Sequence, residues 1–518
     1  MPYFRIVYAS VASTLLLLVA GCAANGGAGD GAPVAVQPAQ LVQAVNRVSW
    51  GANHGSWQQA QQLGYAAWLD GQLHPAPASL PAAAQAQIDA LTISTQPLPQ
   101  LLATLEQQRK DADKLSVDEE KKAAQQAYQQ ALTRVAREAA SRSLLRAVYS
   151  PNQLQEQMTW FWMNHFNVHQ GKSNLRLLVG DYEDNAIRPN ALGKFRTLLG
   201  ATVRHPAMIR YLDNEQNAAN RINENYAREL MELHTLGVDG GYSQRDVQEL
   251  ARILTGVGVN FGDSAPKVKK ELQAQYVRQG LFEFNPNRHD YGNKQLLGHA
   301  IKGRGLAEVD QALDLLSRQP ATARFISHKL AVYFVADQPP PALVARMAAV
   351  FQSTDGDIAA VLRTMLTSKE FAQSLDQRDS KFKDPVHYVV SAVRLTYDDK
   401  VILNTAPMQQ WLARMAQPLY GRQTPDGYAL TQSGWASSGQ MTTRFEIARA
   451  IGSGNAGLFK TDGPQPQERP AFPQLASAFY YQSLQATLSP NTRQVLEQAS
   501  SPQEWNTFLL SSPEFMHR

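Results

Sequence analysis

The sequence predicts a mostly α-helical body, and three observations carry that reading. Apolar side chains recur at helical intervals from Leu41 onward, no segment sustains the period-two alternation of a half-buried strand, and glycine or proline stands between the periodic segments. The chain has 518 residues, 44% hydrophobic and 18% charged, a composition that supports a large buried core. Lys and Arg total 49 against 45 Asp and Glu, a formal charge of +4. So small an excess over so large a surface builds no phosphate-binding face, and no nucleic-acid partner is expected.

The elements follow in chain order. Residues 1–21 read as a signal peptide: Arg5 gives a positive start, Ile6 opens an apolar run with Leu15, Leu16, Leu17 and Leu18, and small residues follow. The run is shorter than the roughly 20 residues that span a bilayer as a helix. Leu18-Val19-Ala20-Gly21-Cys22 resembles the lipobox of bacterial lipoproteins, which implies that Cys22 is lipidated, freed at its N-terminus and anchored to a membrane. Ala23 stands where many inner-membrane lipoproteins carry Asp, so the same resemblance points to the outer membrane of the cell envelope. Cys22 is the single cysteine, so no disulfide can form within the chain. Residues 22–39 comprise this cysteine and a tether rich in Gly, Ala and Pro, and residues 40–518 form the helical domain.

Within the domain, Ser116-Val117-Asp118-Glu119 has the spacing of a capping box and opens a long helix with Tyr128, Leu132, Val135 and Ala139 on one stripe, ended by Ser150-Pro151. The next helix carries Leu154, Met158, Phe161 and Trp162 on its apolar face, with His165 in the middle of that face and His169 one turn later. Residues 223–236 predict a helix with Asn223 as cap, Glu224 in the first turn and Gly237 at the exit. Asp239-Gly240-Gly241 turns the chain, and Ser243 with Asp246 starts a partner helix that runs to Gly256, completing an antiparallel helical hairpin. Residues 271–302 are the least helical, and Phe282 and Phe284 ahead of Asn285-Pro286-Asn287 predict a short β-hairpin. Helical patterning resumes over 306–371 and 384–395, and 418–440 reads as a loop.

Several segments together resemble one bacterial family, the domain of unknown function 1800. They include Phe161-Trp162-Met163-Asn164-His165-Phe166, the run from Asn223-Glu224-Asn225-Tyr226 through His234-Thr235-Leu236-Gly237, and Tyr242-Ser243 through Thr255-Gly256. Others are His289-Asp290 with Lys294, Met415-Ala416-Gln417-Pro418-Leu419, and Ser511-Ser512-Pro513-Glu514-Phe515. The resemblance covers essentially the whole body and implies one large exported domain, with an exported sulfatase-like protein or a polysaccharide as partner. It implies no settled activity. Val257 and Tyr428 stand where the family often has Trp.

Familiar enzyme signatures are absent: there is no H-E-x-x-H, no G-x-S-x-G and no C-x-x-C, and Gly256-Val257-Gly258 follows a helix where a dinucleotide fingerprint would follow a strand. Three groups of residues could carry chemistry. His165 and His169 have metal-ligand spacing, yet an apolar stripe more often holds a hydrogen-bonded core histidine with Asn164 beside it as a turn group. Asn225, Arg228, Glu229 and Glu232 share one side of the helix after Asn223 and Glu224, which fits an ion-pair face or, with Asp213, Asn214 and Asn217 nearby, a site for hydroxyls or a hard cation. His289-Asp290 could pair as base and orienting acid, or serve turn chemistry alone.

No cofactor or metal is expected. The leading expectation is an accessory envelope lipoprotein that binds an extracellular polymer or partner protein. The alternatives are a hydrolase of envelope or exopolysaccharide material using Glu229 or Glu232 with His165, His234 or His289, and a structural lipoprotein of an outer-membrane assembly.

Overall fold

The structure is a computed structural model that describes residues 36–262, 264–376, 381–460 and 472–518. Cys22, the signal peptide and most of the tether lie outside the described residues. Helices dominate, as the periodicity predicts, and buried apolar side chains form one contiguous cluster that runs from Val36 to Met516. No described helix is long and apolar enough to cross a membrane.

The 32-residue helix Asp118–Tyr149 is the longest element among the described residues, with Leu98–Lys114 along one side and Pro385–Tyr397 against another. It is not opened by the expected capping box. Val117 is the N-cap and makes no side-chain cap bond, while Asp118, Glu119 and Glu120 set three negative charges against the positive end of the helix dipole. Its end is as expected: Ser150 precedes Pro151 and is extended, with φ −63° and ψ 132°.

Helix Gln153–His165 follows and is buried on nearly every side. It stops at His165, so His169 sits in the following loop, and the two imidazoles do not share a helix face as expected.

Helix Asn225–Glu232 is shorter at both ends than the expected 223–236. Asn223 is not its cap: its Oδ1 accepts from Asn225 N at 3.0 Å in a side-chain turn one step earlier, and Glu224 occupies the cap position. Beyond Glu232 the chain tightens through His234 N to Glu229 O at 3.1 Å and Leu236 N to Met231 O at 2.8 Å, then leaves at Gly237 with φ +84°. Helix Gln244–Ile253 packs on it and begins with the expected reciprocal cap: Asp246 N donates to Ser243 Oγ at 3.2 Å and Ser243 N to Asp246 Oδ2 at 2.8 Å.

The expected hairpin is present and belongs to a three-stranded antiparallel sheet of β1 (Val257–Val259), β2 (Val277–Gln279) and β3 (Phe282–Phe284), ordered β1-β3-β2 with Val257 and Val277 both opposite Phe284. Gly280 at φ +59° opens its two-residue turn. A second hairpin pairs β4 (Lys294–Leu296) with β5 (His299–Ile301). Both of its turn residues have positive φ, Leu297 at +49° and Gly298 at +79°, and Leu297 N is held by Asp246 Oδ1 at 2.7 Å. One carboxylate thus caps a helix and fixes a hairpin.

The helical run expected over 306–371 is cut into Leu306–Ser317, Pro320–Phe334, Pro341–Ser353, Ile358–Leu366 and Lys369–Asp376, with prolines at the first positions of two of them. At the C-terminal end, Ser438–Gly452 and Pro502–Ser511 pack along each other, and the expected loop over 418–440 ends three residues early, at the Ser437 cap.

Candidate functional site

Six elements meet beside the C-terminal end of Gln153–His165. They are that helix, the loop after it, Pro206–Tyr211, Asn225–Glu232, Pro320–Phe334 and residues 418–428. His165 sits in an aromatic seat: its ring lies parallel to Phe161 at 6.3 Å and edge-on to Phe166 at 4.5 Å and Trp162 at 5.5 Å. His165 Nε2 faces the His234 carbonyl at 3.1 Å, so that nitrogen carries the proton, and Nδ1 is left to accept from Lys329 Nζ at 2.9 Å. Burial, then the Lys329 charge, hold the His165 imidazole well below its ordinary value, so it stays neutral.

Lys329 is unusual for a lysine, since burial pulls its ammonium down to about 8 and Asp426 opposes the shift only in part. His234 is buried and likewise pulled to about 3, and its Nε2 has no hydrogen-bond partner.

Asn164 faces the other way and clamps the 418–428 loop. Its Oδ1 accepts from Tyr428 N at 2.6 Å and its Nδ2 donates to Tyr428 O at 3.0 Å, a reciprocal pair that imitates a strand bridge. Asn167 Nδ2 adds bonds to Arg422 O at 3.1 Å and Thr424 O at 2.8 Å, and the Tyr211 hydroxyl donates to Gln423 O at 2.8 Å. Gly427 at φ +77° lets the loop close, because a Cβ there would stand 2.2 Å from Asn164 O.

The loop so held brings Asp426 toward Glu229. Glu229 is half-buried, and among the described residues no side chain or backbone group donates to its carboxylate. Burial raises its pKa, the charges of Glu232 and Asp426 raise it further, and Arg228 pulls the other way. Tyr242 lies against Glu232, and Asp426 is itself bound by Arg422 at 2.8 Å. The result is an acidic patch of Glu229, Glu232 and Asp426, edged by tyrosines and by one low-pKa amine. Such a group, with Glu229 as an open acceptor and Lys329 as a donor, can hold hydroxyl-rich or amino-bearing ligands, and a carboxyl of raised pKa can deliver a proton.

The structure therefore brings together Asn164, His165, Glu229, Glu232 and His234, and leaves the other candidates elsewhere. Asn223, Glu224, Asn225 and Arg228 belong to a loop-fastening network. Asn223 Nδ2 reaches Asp213 O at 3.1 Å, Asn225 Nδ2 reaches Leu212 O at 3.1 Å, and Arg228 bonds Glu224 at 3.1 Å and Gln244 at 2.9 Å. Asn214 and Asn217 are buried and spend their amides on the carbonyls of Leu254, Val257 and Ala251. This cluster ties backbone to backbone and is not open to hydroxyls or a cation.

His289 and Asp290 do not pair with each other. His289 Nε2 meets Glu308 at 2.9 Å, while Asp290 binds Arg252 at 2.8 Å and Gly292 N at 2.8 Å. Adjacent side chains diverge here, and the carboxylate partner comes from the helix Leu306–Ser317. No group of three or more His, Cys, Asp or Glu side chains among the described residues is placed to hold a metal ion.

Lys329 and Asp426 escaped the sequence reading. The signal for Lys329 was available, since it lies on the stripe of Ile326, Leu330 and Tyr333 in a helix whose cations otherwise point outward. Asp426 carried none, because its place is set by a loop fastened about 260 residues away in sequence from Asn164.

A protein-family model described as "Protein of unknown function (DUF1800)" matches residues 43–517. No curated protein and no solved structure matches the chain.

Proposed function

This chain belongs to the DUF1800 family, and on that footing we propose that it is an exported cell-envelope protein, tethered by lipid on Cys22, that binds an extracellular polysaccharide through the patch of Glu229, Glu232, Asp426 and Lys329. The observation that carries the reading is the Glu229 carboxyl, half-buried, of raised pKa and, among the described residues, without a donor. A group that has lost part of its water and gained no protein partner is disposed to accept one from a ligand. The envelope location rests on the lipobox at Cys22, and replacing it, C22S, should move the protein from the membrane to the soluble fraction.

Binding of the full chain to envelope and exopolysaccharide fractions tests the site. Wild type should bind, and E229Q and K329M should each bind at least tenfold more weakly. No binding by wild type, or equal binding by all three, overturns the reading. A second reading, hydrolysis of the same polymer with Glu229 as general acid, is favoured by the direction of its shift, since burial and the neighbouring Glu232 raise its pKa. New reducing ends produced by wild type and not by E229Q would select it.

A further inference from the structure

Apart from the Glu229 patch, a cavity of about 120 Å³ lies among the helices Leu41–Val48, Pro385–Tyr397 and Pro502–Ser511 and the chain around Phe515. Leu395, Leu488, Leu509 and Phe515 make its wall largely apolar, and Lys383 lines it as well. Lys383 is only 2% exposed. Its backbone is fixed by Lys383 N to Met516 O at 2.8 Å and by Arg444 donating to Lys383 O at 2.7 Å, and its Nζ stands 3.8 Å over the Phe515 ring. Among the described residues that nitrogen has no hydrogen-bond acceptor and no carboxylate.

The neighbouring groups explain why Lys383 is exceptional. Other cations buried here each have oxygen to bind: Arg47 reaches Arg518 O at 2.6 Å and Phe334 O at 2.8 Å, Lys381 reaches Asp337 at 2.6 Å and Leu430 O at 2.9 Å, Arg444 reaches Lys383 O, and Arg518 reaches Tyr333 O at 2.7 Å and Gln157 at 3.2 Å. Arg444 also lies 4.6 Å over the ring of Phe382, and Arg518 4.4 Å over that of Tyr333. The nearby anions are committed. Asp384 caps Pro385–Tyr397 through His387 N at 2.9 Å and meets the His387 ring at 3.2 Å, and Glu514 accepts from Ser489 N and Thr492 Oγ1, both at 2.8 Å. His517 completes the titratable lining. Burial first, then Arg444 and Arg518, push the Lys383 amine well below its ordinary value.

We propose that this cavity is a binding site for a small aliphatic monocarboxylic acid, with the carboxylate on Lys383 Nζ and the hydrocarbon chain among the leucines. The partner balance favours that class: among the described residues the Lys383 amine is buried without an oxygen acceptor, and an entering carboxylate supplies one. The size fits a ligand of about four to six carbons, given that a dry cavity of about 150 Å³ takes benzene. Burial lowers the affinity of the Lys383 amine for a proton, and a carboxylate beside it raises that affinity again, so binding draws protons from solvent and no bond to carbon forms or breaks.

Calorimetry on the full chain at pH 8, in two buffers of different ionisation enthalpy, decides the matter with hexanoate and 1-hexanol as probes. Hexanoate should bind one to one, at least tenfold tighter than hexanol, with net uptake of protons. K383M, which keeps the length and removes the amine, should lose at least tenfold in hexanoate affinity and leave hexanol unchanged. Absent saturable hexanoate binding, equal affinity for the two probes, or binding without proton uptake would overturn the proposal, and these wild-type results stand even if K383M does not fold.

Discussion

Two regions of this molecule are built from the same three side-chain types and end in opposite states. In the first, His289, Lys294 and Glu308 are fully buried, and Glu308 accepts from His289 Nε2 at 2.9 Å, Lys294 Nζ at 2.5 Å and Gly305 N at 2.8 Å. His289 Nδ1 completes its own bonding on Thr255 O at 2.7 Å. In the second, Lys329 meets the neutral ring of His165 in place of a carboxylate, and Glu229 stands half-exposed with no donor. The first arrangement is a saturated knot that joins β4 to the helix Leu306–Ser317. The second has capacity left over. What separates a structural triad from a candidate site is the supply of partners, and the residue types alone do not reveal it.

The largest effect should come from breaking the knot. E308Q takes from buried Lys294 and His289 the carboxylate that both bind and should cost about 3 to 5 kcal/mol in denaturant unfolding. A cost below about 1 kcal/mol would mean that the triad is not saturated in the way described. A smaller effect belongs to Lys329. Its folded value of about 8 lies below the ordinary 10.5, so between those values the unfolded chain holds a proton that the folded chain has released. Stability should therefore rise with pH across that window, by up to about 2 kcal/mol after allowance for its partial exposure, and the rise should vanish in K329M. The smallest effect is that of E229Q, which removes no protein hydrogen bond and should change stability by less than about 0.5 kcal/mol while weakening ligand binding. If E229Q cost as much as E308Q, the two regions would be the same kind of structure.

The sequence made the fold class, the Ser243–Asp246 cap, the hairpin at Phe282 and Phe284 and the burial of His165 legible, because each rests on local periodicity or on groups within four residues of one another. The failures share a cause. The box at Ser116 had the right spacing, yet Val117 became the cap, and residues 233–236 were periodic but tightened into turns to deliver His234 to His165. His289 found its acid 19 residues away at Glu308 and not next door at Asp290. Of the candidate site, His165, Glu229, Glu232 and His234 could be read individually. Their assembly with Lys329 and Asp426 could not, because it depends on a loop clasped by Asn164 and Asn167.

The contrast between the two lysines is the part of this account most open to direct measurement. Pulse labelling of the folded full chain with a small amine reagent across pH 6 to 11, read by mass spectrometry, should show Lys329 reacting with a midpoint near pH 8, well below the surface lysines, while Lys294 stays unmodified throughout. Lys329 titrating with the surface lysines, or Lys294 reacting alongside it, would contradict the distinction between an open site and a saturated knot.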